Sequence, residues 1–272
     1  MNTHNGIIGF FDILGYQNLL EKNEPEDIAQ SVLEFLTNIN DKITTNLKQI
    51  LDETPDEIFS ILEETIDHAV SIKDIVNNTI DSLKWILFSD TILLALPYDQ
   101  KTEKPSVANW FAFLTICMHL QKEMFLNGLP VRGVINYGKF YLQDTCFAGR
   151  SIIEAYDLCN QLELAACIFS PKAQNEFSDF INRYFHENAK EISDNWVYEY
   201  LVPTKMGEFH YLVLKASVYN NDDSIMKQIL SSFWGHNKDI PLSVQQKISN
   251  TEQWLNFLKM KNEKGKKNEK TE

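Results

Sequence analysis

Two aspartates stand where their neighbours give little reason for a charge. Asp12 closes the apolar run Ile7 to Ile13 (IIGFFDI), and Asp90 lies at Phe88-Ser89-Asp90 inside the apolar stretch Leu83 to Pro97 (LKWILFSDTILLALP). A carboxylate among apolar residues is costly to bury unless a cation or hydrogen bonds compensate it. At the ends of adjacent antiparallel strands, two such carboxylates can share metal ions. Two Mg²⁺ or Mn²⁺ ions held by Asp12 and Asp90 would bind a triphosphate and stabilise the attacking and leaving oxygens of a displacement at phosphorus. Beside Asp12, the turn Leu14-Gly15-Tyr16 opens onto a helical pattern, and its free backbone N–H groups suit the β- and γ-phosphates. Gly15 lets the backbone come close to them. A plainer account stays open for each aspartate alone: Asp12 as a cap of the next helix, Asp90 as part of a Ser-Asp turn.

The elements that must position these residues are legible in the pattern. Ile7 to Ile13 reads as a strand buried on both faces. Residues 25 to about 82 form an acidic insertion of at least two helices, divided at Pro55: one carries Leu33, Phe35, Leu36, Ile39, Ile43 and Leu47, the other Ile58, Ile61, Leu62, Ile66, Ala69 and Val70. Leu83 to Pro97 reads as two strands meeting at Ser89-Asp90. Pro105 to Asn127 is a long helix stopped by Gly128. Val131 to Leu142 is a strand expected to turn at Gly138 into another. A helix runs from Gly149 to about Ala165, and Ile168 to Pro171 is a strand ending at a helix start. Trp196 to Val202 and His210 to Val218 form a closing hairpin. The order is β-α-β-β-α-β, an α+β ferredoxin-like core carrying a helical insertion and a helical C-terminal extension. The expected organisation is a catalytic domain over 1–220, the extension over 221–260, and a disordered Lys-rich tail over 261–272.

Composition narrows the partners. The chain has 272 residues, 44% hydrophobic and 12% aromatic, enough for a sizeable core. Its formal net charge of −13 disfavours nucleic acid and anionic membranes as partners, and a polyanion site on such a protein calls for a divalent cation. No apolar run approaches the roughly 18 residues of a membrane span, and the N-terminus has no secretory pattern; a cytoplasmic location is the expectation. Cys117, Cys146, Cys159 and Cys167 show no zinc spacing and suit buried, reduced thiols.

Phe11-Asp12-Ile13-Leu14-Gly15-Tyr16 resembles the F-x-D-I-x-G-F signature of class III nucleotidyl cyclases. Phe88-Ser89-Asp90-Thr91-Ile92 resembles their second metal motif, and Arg132-Gly133-Val134-Ile135-Asn136-Tyr137-Gly138 their R-x-G-x-x-x-G strand. Phe147-Ala148-Gly149 with the segment Ile153 to Leu158 falls where the family has G-x-x-V-N-x-A-x-R-L. The likeness covers roughly residues 7–170, in family order. It implies metal ligation by Asp12, Asp90 and the Ile13 backbone carbonyl, phosphate binding by Leu14, Gly15 and Tyr16, candidate substrate contacts at Phe11 and Arg132, and a head-to-tail homodimer. The family's Asn and Arg slots hold Ile153 and Asp157 here, and Ile86 sits near the place of its adenine-reading lysine, which argues against adenylate or guanylate cyclase activity. The wording is more similar to the bacterial Pycsar cyclases of antiphage defence, which make cyclic UMP or cyclic CMP. UTP is then the expected substrate ahead of CTP, with two Mn²⁺ or Mg²⁺ ions as cofactors and a second messenger as product. A catalytically silent nucleotide- or protein-binding relative and a polymerase-type palm remain the alternatives.

Other side chains have plainer readings beside functional ones. Arg132 suits a structural ion pair as well as a phosphate. Lys139 and Arg150 suit solvated surface as well as the triphosphate tail. Tyr16 suits the helix–sheet interface as well as the substrate. Trp110, Phe111 and Phe113 suit the core.

Overall fold

Strand β1 (Asn2–Ile13) is the axis of the molecule, paired along its length on both edges. The computed structural model describes residues 2–54, 71–98, 107–143, 146–216 and 223–268. From β1 the chain enters α1 (Tyr16–Lys22), then α2 (Pro25–Ile28), which passes through a π-helical turn (Ala29–Leu33) into α3 (Glu34–Glu53), and then α4 (Ile72–Ser82). The second expected insertion helix and its Pro55 boundary lie outside the described residues. A hairpin of β2 (Lys84–Phe88) and β3 (Thr91–Tyr98) follows, then α5 (Val107–Leu126), β4 (Val131–Gln143) and the short β5 (Cys146–Ala148). Next come α6 (Arg150–Gln161), β6 (Cys167–Phe169), α7 (Pro171–Phe185), a 3₁₀ turn (His186–Asn188) and α8 (Ala189–Ser193). The closing hairpin is β7 (Val197–Thr204) with β8 (Gly207–Leu214); then come α9 (Asp223–Ser231), a 3₁₀ segment (Ser232–Asn237) and α10 (Leu242–Asn268).

The sheet order is β2-β3-β1-β4-β6-β8-β7, with β5 beside the end of β4. Its first four members, all antiparallel neighbours, have the ferredoxin-like order. The fold is α+β. Because side chains alternate across a strand, β1 feeds two cores. Ile7, Phe11 and Ile13 face α3, α5 and α7, while Ile8 and Phe10 face the side covered by α6, α9 and α10. The C-terminal helices thus complete the second face of the same sheet, through Ile229, Trp254, Leu255 and Leu258.

Four expectations are corrected, the last being the burial of Cys146. The chain makes no turn at Gly138: β4 runs straight through it, with Gly138 opposite Gly6 of β1 and Ser151 of α6 packed above it. The glycine serves close helix–sheet approach. Helix α6 stops at Gln161, short of Ala165, because the backbone beyond is claimed by others: the Glu163 N–H donates to Pro203 O and the Ala165 N–H to Thr251 Oγ1. The segment expected to be disordered from 261 is helical to Asn268, continuing a helix anchored by Trp254, Leu255 and Leu258 and rich in the good helix formers Lys and Glu; residues 269–272 lie outside the described residues. Among the cysteines, Cys146 is exposed and the other three are buried.

Phe11 lies across Gly133, where an added Cβ would come within 2.5 Å of the ring. Gly133→Ala is therefore expected to cost about 1–3 kcal/mol, read as a lower urea midpoint at unchanged slope; an unchanged midpoint would mean that Phe11 has room to move aside.

Candidate functional site

The end of β1 and the β2–β3 turn are stitched together by backbone. In register, Asp12 stands opposite Thr91 on one side and Arg132 on the other. The turn between β2 and β3 is made by Ser89 and Asp90, with Ser89 at a positive φ of 55°. The Ile13 N–H donates to Asp90 O at 2.8 Å, and the Leu14 N–H to Pro130 O at 2.8 Å. Gly15 then takes a left-handed conformation (φ 76°) as α1 begins, which a side chain would disfavour. These contacts bring Asp12, Asp90 and the Leu14-Gly15-Tyr16 turn to a single open cavity of about 600 Å³, whose wall also includes Arg132 and Asn160.

The cavity is electrostatically uneven. Burial pushes the Asp12 carboxyl above the ordinary carboxylate range; the Arg132 guanidinium opposes this by charge and hydrogen bond, the Asp90 carboxylate adds to it, and Lys205 at the β7–β8 turn opposes it. Arg132 Nε donates to Asp12 Oδ2 at 2.8 Å, its Nη1 to the carbonyls of Leu162 (3.2 Å) and Asn160 (3.4 Å), and its Nη2 to Asn160 Oδ1 (3.1 Å). The Tyr16 hydroxyl is held protonated to higher pH than usual by burial, then by the Asp90 charge.

Hard divalent cations fit this donor set. Among the described residues no group of three or more His, Cys, Asp or Glu side chains converges on a metal position. Mg²⁺ and Mn²⁺ do not require one, since one or two carboxylates suffice where water and substrate phosphates supply the remaining oxygens. Asp12 is poorly hydrated and feels the charge of Asp90, an arrangement that a cation relieves. Arg132 takes only Oδ2, leaving Oδ1 without a protein partner among the described residues.

The residues singled out by sequence separate cleanly. Asp12, Ile13, Leu14, Gly15, Tyr16, Asp90 and Arg132 all line the cavity. Phe11 does not: strand alternation turns it to the opposite face from Asp12, where it is fully buried in the core. Arg150 is an exposed surface residue 3.9 Å from Glu154, and Lys139 is exposed; neither lines the cavity. Trp110 and Phe113 are core, and Phe111 stacks on Trp196 at 4.1 Å. Sequence reasoning missed Tyr156 and Asn160, four residues apart on one face of α6, and Lys205. The helical spacing of the first two was the available signal. Nothing local marks Lys205, which the β7–β8 turn brings in from far along the chain.

No family model matches the chain, and no curated protein matches it. Among solved structures it is similar to the catalytic core of a rhodopsin-guanylyl cyclase with converted specificity, in complex with ATPαS, at 10% identity over 79% of this chain and 97% of that one, with a TM-score of 0.45. Overlap at this level assigns neither an activity nor site residues. No helix among the described residues is long and apolar enough to cross a membrane.

Proposed function

We propose that the chain is a metal-dependent nucleotidyl cyclase of the class III type that converts a pyrimidine nucleoside triphosphate, UTP ahead of CTP, into its cyclic 3′,5′-monophosphate with release of pyrophosphate. One observation carries the reading: the two aspartates picked out by sequence, 78 positions apart by their numbering (90 − 12), line one cavity whose wall is the Gly15 turn. Divalent cations, when bound, supply the charge that eases ionisation of the ribose 3′-hydroxyl and departure of pyrophosphate. Asp12, Asp90 and the Ile13 carbonyl would hold them, the Leu14-Gly15-Tyr16 backbone would face the phosphates, and Arg132 adds a positive charge beside Asp12. Pairing of two subunits is supported by the exposed apolar side chains Ile153 and Tyr156 on α6, 61% and 51% accessible; its head-to-tail arrangement rests on the sequence resemblance. The choice of pyrimidine and the role as a second messenger in antiphage defence rest on the sequence resemblance.

A silent relative is favoured by two details. Arg132 already pairs with Asp12, and Ile153 and Asp157 stand in the family's Asn and Arg slots.

The deciding experiment incubates purified protein with Mn²⁺ or Mg²⁺ and each of ATP, GTP, CTP and UTP, with products separated and identified by mass. A cyclic mononucleotide from UTP or CTP is expected. Linear or cyclic oligomers would point to polymerase-type chemistry instead. No product with either metal would favour the silent relative.

A further inference from the structure

Lys238 is a buried cation that the site as described leaves unused. It is 7% exposed, and its Nζ donates to the carbonyls of Gly128 (2.9 Å) and Ser232 (3.1 Å), with no carboxylate in salt-bridge reach among the described residues. Burial pulls its pKa down to about 8. A methionine or leucine would fill the same space without the desolvation cost. Its stem lies against the Gly15 turn of the cavity wall: a Cβ on Gly15 would stand 3.3 Å from Lys238 Cδ.

The segment around Lys238 is a strap along α1. The Asp239 N–H donates to Asn18 Oδ1 at 2.6 Å, and the Asp239 carboxylate pairs with Lys22 at 2.6 Å. Asn23 Nδ2 donates to His236 O at 2.7 Å, and Asn237 Nδ2 to Asn23 Oδ1 at 3.1 Å. On the other side, His236 Nε2 lies 2.8 Å from Asn127 O at the corner leading to β4. His236 and Asn237 are both left-handed, with φ of 58° and 58°, a conformation that costs energy in non-glycine residues and persists only where contacts enforce it. The strap thus joins α1 to the corner that leads into the Arg132 strand.

We infer that Lys238 is a positioning residue: the C-terminal strap, through its stem and ammonium, fixes the Gly15 turn and places a positive charge behind the wall on which a polyanion would sit. The consequence for nucleotide rests on the proposed function, whereas the positioning of the turn does not.

The test therefore has two readouts on full-length protein. Lys238→Met keeps the stem and removes the charge; Lys238→Arg restores charge; Asn237→Ala loosens the strap from its own side should Lys238→Met fail to fold, leaving the bond from Asn23 to the Leu19 carbonyl of α1 in place. Amide hydrogen exchange over residues 14–19 is expected to rise at least about tenfold in Lys238→Met and in Asn237→Ala, with the β4 core unchanged, and to return toward wild type in Lys238→Arg. UTP and CTP affinity, by equilibrium dialysis with Mn²⁺, is expected to fall about tenfold in Lys238→Met, with partial rescue by Arg. Unchanged exchange over 14–19 in folded Lys238→Met, or in Asn237→Ala where Lys238→Met does not fold, would overturn the inference. If wild-type protein binds neither nucleotide, the proposed function fails while the exchange comparison still decides the role of the strap.

Discussion

Asp12→Asn and Asp90→Asn are each expected to reduce the proposed nucleoside triphosphate turnover by about a hundredfold to a thousandfold, with the chain still folded. The two carboxylates are the anionic oxygen donors that the β1 end and the β2–β3 turn contribute to the cavity, and a neutral amide binds a hard cation poorly. The fold should tolerate the changes because neither aspartate is an apolar packing residue. Asparagine at position 12 keeps an acceptor for Arg132 Nε, and at position 90 the backbone carbonyl that receives the Ile13 N–H is untouched. Thermal scans with and without Mn²⁺ supply the companion measurement. Wild type should melt higher with the ion by mass action, and both variants should lose that increment; the ion-free midpoint of Asp90→Asn should stay within a few degrees of wild type, whereas that of Asp12→Asn should fall because Arg132 loses its paired charge. A variant that retained turnover would remove its aspartate from the proposed metal site.

The aspartates stood out because each interrupts an apolar run of sequence, and interruption is visible in one dimension. The βαββαβ order was legible for the same reason: strand and helix periods differ, and Ser89-Asp90 and Gly128 punctuate them. What the sequence concealed is which face a residue takes once strands pair. Phe11 was a candidate substrate contact through the resemblance, yet its place next to Asp12 on a strand puts it on the opposite face, in the core. Gly138 looked like a turn because glycine often marks one, whereas its place opposite Gly6 and under Ser151 gives it a packing role. Asn160, Lys205 and Lys238 reach the site's surroundings only through tertiary contacts, from α6, the β7–β8 turn and the C-terminal strap. No local pattern encodes such contacts.

Arg132→Met is expected to be the most destabilising single change near the site. The guanidinium joins β4 to the Asp12 carboxylate, the Leu162 and Asn160 carbonyls and the Asn160 side chain, all at once. Its side chain and that of Asp12 are only 11% and 17% exposed, so removal strands a carboxylate in a poorly hydrated place. Breaking one side of such a pair costs about 3–5 kcal/mol, a drop of roughly 10 °C in Tm for a chain of this size. The pH dependence identifies the cause. Burial already raises the Asp12 pKa above the ordinary carboxylate range while Arg132 opposes it; without Arg132 the folded-state pKa rises further. The folded variant then binds the proton more tightly than the unfolded chain, so its stability falls as pH rises through the window between the unfolded and the raised folded pKa, and recovers as pH falls. Urea midpoints should therefore show a smaller deficit against wild type at about pH 5 than at about pH 7. Adding Asp12→Asn should return on the order of 1–3 kcal/mol and abolish that pH dependence. A deficit equal at both pH values and untouched by Asp12→Asn would mean that Arg132 stabilises the fold through the Leu162 and Asn160 carbonyls, with the aspartate a bystander.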